Sequence, residues 1–146
     1  MERDFCKVRS MSDMIIVLLL VLFGFGFIIL PGFDAINITG IFLTLTGVIL
    51  GFTLKSAYMD KSTGEIYSKK ERFFSHAKHD NLKHALTCPS KFCPEGENEG
   101  NTLRLDVYYN DTKVVIQLLE YVPFTYEPCT QFYEHDADIA DAFIRK

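Results

Sequence analysis

Between residues 14 and 54 the chain has one charged side chain, Asp34, although charged residues make up 23% of the whole. So little charge over so long a run excludes ordinary solvated structure and leaves burial or a lipid environment. Lysine and arginine are missing from it altogether: three of the fifteen precede it and twelve follow. The familiar signatures of nucleotide and acyl-transfer chemistry are also lacking, with no P-loop, no G-x-G-x-x-G and no G-x-S-x-G. No small-x-small site follows the first apolar run promptly. That disfavours a cleavable signal peptide, despite Arg3, Lys7 and Arg9 ahead of it.

Two apolar runs occupy this region, 14–30 and 35–54. The first has fourteen Leu, Ile, Val or Phe side chains, worth on the order of 4 to 8 kcal/mol toward insertion. As helices the two span about 26 and 30 Å, enough to cross a bilayer. Only residues 31–34 join them, so the reading is a tight transmembrane hairpin. The positive-inside rule then puts both termini in the cytoplasm of an inner membrane. Four threonines in the second run can bond their own helix backbone. Gly40, Thr44, Gly47 and Gly51 form a stripe of small side chains on one helix face. Its simpler use is packing against the first helix, and homo-oligomerisation is the alternative.

Residues 1–13 read as an N-terminal tail and 55–146 as a cytosolic domain. Between 55 and 91 there are eight Lys/Arg against four Asp/Glu, and beyond 92 four against eleven, so a basic half leads into an acidic one. A hairpin is expected over 56–74, turning at 60–64, and a short helix over 75–86. Residues 87–101 read as a loop. Alternation over 103–109 and 113–121, around Asn110-Asp111-Thr112, is the strongest hairpin signal in the chain. Residues 124–134 contain Pro128 and read as an edge or bent strand. A final helix is expected over 137–146, capped by Asp136. The fold class is therefore a two-helix membrane hairpin followed by a small antiparallel α+β domain of about five strands and a C-terminal helix. This order, over 53–146, resembles the membrane-anchored pleckstrin-homology-like proteins of bacteria. The resemblance is one of architecture and carries no binding residues with it.

His84, Cys88 and Cys93 are candidate metal ligands, with His76 and His79 nearby. Their spacing is loose for zinc, and a merely polar, His-rich segment is the simpler reading. Disulfides are disfavoured in a reducing compartment, whereas an inverted topology would favour Cys88–Cys93. Cys129 and His135 lack a neighbouring basic cluster or helix N-terminus that would activate them, so no catalytic residues are assigned and no cofactor is expected. Lys69, Lys70 and Arg72, beside Phe73 and Phe74, suit anionic headgroups, or serve simply as the positive flank of the hairpin. The acidic distal half argues against nucleic acid. Tyr108, Tyr121, Tyr126 and Tyr133 suggest a surface for a protein partner. The expectation is a non-enzymatic binding protein in the lipid bilayer; a metal- or redox-responsive sensor and a small immunity or accessory protein are the alternatives.

Overall fold

The computed structural model describes residues 3–31 and 34–145. The chain divides into two compact units: Lys7–Ala57, and the residues up to Cys6 together with Tyr58 onward.

The first unit is a pair of apolar helices, α1 (Met11–Ile29) and α2 (Asp34–Thr53). Two of the four residues expected to join them, Gly32 and Phe33, lie outside the described residues. Helix α1 begins earlier than the apolar run because Ser10 and Asp13 cap it reciprocally: the Asp13 N–H donates to Ser10 Oγ at 3.1 Å, and the Ser10 N–H to Asp13 Oδ2 at 3.0 Å. The same carboxylate accepts from the Ser56 backbone N–H at 2.9 Å and from its hydroxyl at 2.7 Å. One buried aspartate thus ties the start of α1 to the chain just beyond α2. Thr39, Thr44 and Thr53 donate their hydroxyls to the carbonyls four residues back, so little polarity is left uncompensated on α2. Both helices are long and apolar enough to cross a membrane.

The stripe on α2 faces α1. A β-carbon placed on Gly40 would stand 2.6 Å from the Gly24 carbonyl oxygen, and one on Gly47 2.9 Å from Val21 Cγ2. The helices meet backbone to backbone at Gly24 and Gly40, an approach that a side chain at either position would block.

The second unit is an antiparallel sheet of seven strands: β1 (Phe5–Val8), β2 (Ala57–Asp60), β3 (Ile66–Phe74), β4 (Leu103–Tyr109), β5 (Lys113–Val122), β6 (Thr125–Pro128) and β7 (Tyr133–Asp136). The order is β1-β2-β3-β4-β5-β6, and β7 also pairs with β5. Two of the seven come from splitting the expected strand over 124–134. Its ends pair with opposite halves of β5, and Thr130 bridges the gap by accepting the Leu118 N–H at 3.1 Å. The seventh is β1, which falls in the stretch expected to be a tail. The Lys61 N–H donates to the Asp4 carbonyl at 3.0 Å, which fastens the N-terminal segment beside β2.

On one face of the sheet Phe74, Leu103, Leu105, Val107, Ile116 and Leu118 form the main core. It is covered by Leu82, Ala85 and Leu86 of α3 (His79–Thr87), by Phe92, and by Phe143 of α4 (Asp141–Ile144). The opposite face holds a second cluster of Tyr67, Tyr108 and Val115, closed by Phe5, Tyr58 and Phe132. Strand alternation sends Tyr109 to the first cluster and Tyr108 to the second. The helix expected over 75–86 is a 3-10 turn, His76–Lys78, running into α3, and Ser75 makes no side-chain cap bond.

The terminal helix is one turn rather than the stretch expected over 137–146, and Lys146 lies outside the described residues. Asp136 ends β7, and its carbonyl accepts the Ile139 and Ala140 N–H groups in a turn. The carbonyls at the end of α4 go to cations instead of extending the helix. Arg72, fully buried, donates to Ala142 O at 3.1 Å and Arg145 O at 2.9 Å, and Lys70 donates to Ile144 O at 2.8 Å.

Candidate functional site

The cations expected to meet lipid headgroups are committed inside the domain. Besides the C-terminal carbonyls, Arg72 holds Glu97 at 3.0 Å and lies over the Phe92 ring. Lys69, on the other face of β3, reaches Asp106 at 2.8 Å and Glu71 at 2.6 Å, and Arg104 closes on the same Asp106 at 2.8 Å. Burial pushes the Lys69 ammonium down, but the two carboxylates outweigh it and hold its pKa above the ordinary value. These are internal ion pairs rather than a basic surface.

The candidate metal residues are not drawn together. His84 and Cys93 share the lining of a groove beside α3 with Phe74, Leu82 and Phe92, while Cys88 is not on it. Among the described residues no three His, Cys, Asp or Glu side chains are placed to hold a metal ion. The four cysteines are free thiols. Burial raises the Cys129 pKa, which keeps it protonated and a poor nucleophile near neutral pH. His135 Nε2 lies 2.6 Å from the Leu86 carbonyl, so that nitrogen donates its proton there and links β7 to the end of α3.

The four tyrosines fall in different environments. Tyr108 is buried against Phe5 and Tyr58, and Tyr133 packs on the main core, so neither offers a free surface. Tyr121 and Tyr126 remain, and they meet at the corner where β5 turns into β6. Tyr126 is the hub of that corner. Its hydroxyl donates to the Asn101 carbonyl at 2.6 Å, and its ring lies 5.2 Å from Tyr121 and 6.1 Å from Phe73. The Arg104 guanidinium stands over it at 4.7 Å. A shallow cleft opens between these rings and Asn101–Thr102. Beyond them, Phe124 occupies the apex of the turn and is 97% exposed. Aromatic density alone does not single Phe124 out. Its one local signal is the dipeptide Pro123-Phe124 at a hairpin turn, where glycine is usual in the second place.

A rigid aromatic corner with an uncovered apex can grip a complementary surface, and it brings no nucleophile, base or metal ligand set to a common point. Comparison with protein-family models, with curated proteins and with solved structures finds no match for this chain.

Proposed function

We propose that this chain is a two-pass integral membrane protein that acts by binding, presenting its sheet domain on the cytoplasmic side of an inner membrane. The observation that carries the anchor is the place of the N-terminal segment. Residues before the first apolar helix form strand β1 and pack Phe5 on Tyr108 within the domain. Cleaving the helix away as a signal sequence would remove that strand. Retention is therefore the reading that keeps the sheet whole. A soluble core helix, the other alternative, hides its apolar side chains, whereas Phe23, Phe42 and Phe52 are each more than half exposed. Two crossings also return the chain to the side it left, which is what a sheet built from both flanks needs. The distribution of Lys and Arg, all outside the helices, favours the cytoplasmic side.

Binding rather than chemistry is favoured because Lys69, Arg72, Arg104 and Asp106 are engaged in internal ion pairs, and burial keeps the Cys129 thiol protonated. The exposed aromatic corner of Tyr121, Phe124 and Tyr126 is the surface left for recognition.

Alkaline carbonate extraction of membranes bearing the full chain, tagged at both ends, tests the anchor. The protein should stay in the pellet, and both tags should be digested from the same side of sealed vesicles. Release into the supernatant, or tags on opposite sides, would overturn it. A photo-crosslinking residue in place of Tyr121 should form an adduct in native membranes, and its absence would remove the corner as the binding surface.

A further inference from the structure

The cations of the sheet domain sort into two groups. Most have a carboxylate or carbonyl partner, as Lys61 has Asp4, Lys113 has Glu134 and Arg145 has Asp141. Among the described residues of the domain, the side chains of Lys78, Lys83 and Lys91 alone hold no ion pair or hydrogen bond. All three fall between residues 75 and 93, where Asp80 is the one acid. The Asp80 side chain is 99% exposed and lies beside His79. Uncompensated positive charge gathered in so short a stretch attracts anions.

Lys78 and Lys91 both line a groove of about 180 Å³ between α3 and the 3-10 turn Pro89–Lys91. Its apolar wall is Phe74, Leu82, Ala85 and Phe92, all buried, with the Phe74 and Phe92 rings edge to face at 6.3 Å. Helical spacing builds this arrangement: Lys78 precedes Leu82 by four residues and Ala85 by seven, so the cation stands one turn before the apolar pair on the same face. Asn81 and His84 share the lining. An apolar recess edged by a few polar groups is the usual form of a small-molecule site. A cavity of about 150 Å³ holds one benzene ring, so this groove has room for a single ring. One acid comes close: a β-carbon on Gly96 would stand 3.1 Å from Lys78 Cε and 3.0 Å from Glu99 Oε2. Glu99 is not on the groove itself.

We propose that the groove binds a small aromatic carboxylate, with its ring against Leu82 and Phe92 and its carboxylate held by Lys78 and Lys91. The site lies wholly within the sheet domain and does not depend on the anchor. Lysine suits this task because its ammonium is a point charge on a flexible stem, which can follow a carboxylate at an open mouth.

Benzoate titrated into full-length, isotope-labelled protein in detergent tests the site, read from the amide resonances of Leu82, Ala85 and Cys93. These should shift saturably, with a Kd on the order of 1 mM, the range open to so small a ligand. Benzyl alcohol keeps the ring and acetate keeps the carboxylate; each should bind about tenfold more weakly. Lys78→Gln combined with Lys91→Gln leaves the apolar wall intact and should weaken benzoate by about tenfold. Glu99→Gln should tighten it. Absence of a saturable shift overturns the proposal. Benzyl alcohol binding as well as benzoate makes the groove a crevice indifferent to charge, and acetate binding as well makes it a cationic surface indifferent to the ring. Either result overturns the proposal, as does unchanged affinity in the double variant or weaker binding with Glu99→Gln. The same shifts on raising the protein concentration without benzoate identify a second copy as the occupant, and overturn it too.

Discussion

Phe5 lies flat on Tyr108, with ring centroids 4.0 Å apart and planes within 3° of parallel. The two residues are separated in sequence by the whole apolar hairpin and half the domain. Phe5 also meets Tyr67 and Phe132 edge-on, so one side chain touches three rings of the second cluster. Phe5→Ala should destabilise the domain by about 2 to 4 kcal/mol, the cost of an aromatic truncation inside a cluster. Denaturant unfolding of the full chain in detergent measures it. A change below about 0.5 kcal/mol, the range of an ordinary surface substitution, would mean that β1 is an ornament on the sheet.

Acid should loosen the same strand. Asp60 is fully buried; burial alone would raise its pKa, but hydrogen bonds from Ser62 and the charge of Arg3 bring it below the ordinary value. Glu134 is lowered by Lys113, against the cost of burial, and by Arg3, with which it pairs directly. A carboxyl depressed in the folded state contributes stability that is complete above its unfolded pKa of about 4, and loses it as pH falls through the folded value. Amide exchange at residues 4–8, corrected for its intrinsic pH dependence, should therefore accelerate below about pH 4 before the β4–β5 amides respond. Asp60→Asn should abolish much of that early phase.

The helix contact discriminates between glycines. Gly40→Leu and Gly24→Leu place a side chain into opposing backbone and should separate the helices, lowering the thermal midpoint in detergent or altering the oligomeric state. A β-carbon added at Gly26 would meet nothing within 4 Å, so Gly26→Leu should be nearly neutral. Equal effects at Gly26 and Gly40 would contradict the close packing of α1 on α2.

Arg72→Met removes the cation that holds the last carbonyls of the domain. Loss of one partner from a buried, hydrogen-bonded charge network costs roughly 3 to 5 kcal/mol. The expected sign is early proteolytic trimming at 141–145, with the β4–β5 hairpin still protected. Glu97→Gln should cost far less, because Glu97 is partly exposed and the carbonyl bonds of Arg72 remain.

Thiol reactivity should follow exposure. Cys93 should react first with a maleimide, and Cys129 last, since burial both shields it and raises its pKa. Rapid modification of Cys129 in the native protein would point to an opening of the β6–β7 gap.

Local periodicity made much of the architecture legible. The charge-free runs gave α1 and α2 to within a few residues, and alternation marked β4 with the bounds observed, 103–109. What escaped was decided by partners distant in sequence. Phe5-Cys6-Lys7-Val8 is too short to announce a strand without β2 beside it. Lys69, Lys70 and Arg72 look like a juxtamembrane basic patch until Asp106 and the C-terminal carbonyls are seen to claim them. The corner around Tyr126 was half visible as aromatic density. Which rings were free depended on Phe5 covering Tyr108, and a linear pattern could not show that.

The two flanks of the hairpin share a single sheet, and this bears on how the protein is made. On the proposed topology β1 leaves the ribosome first but has no neighbour until β2 follows, after both apolar helices have been threaded. Sheet closure therefore waits on insertion. A chain that crosses once, or whose second helix fails to insert, leaves β1 stranded across the membrane from its partner, with Tyr67 and Tyr108 uncovered.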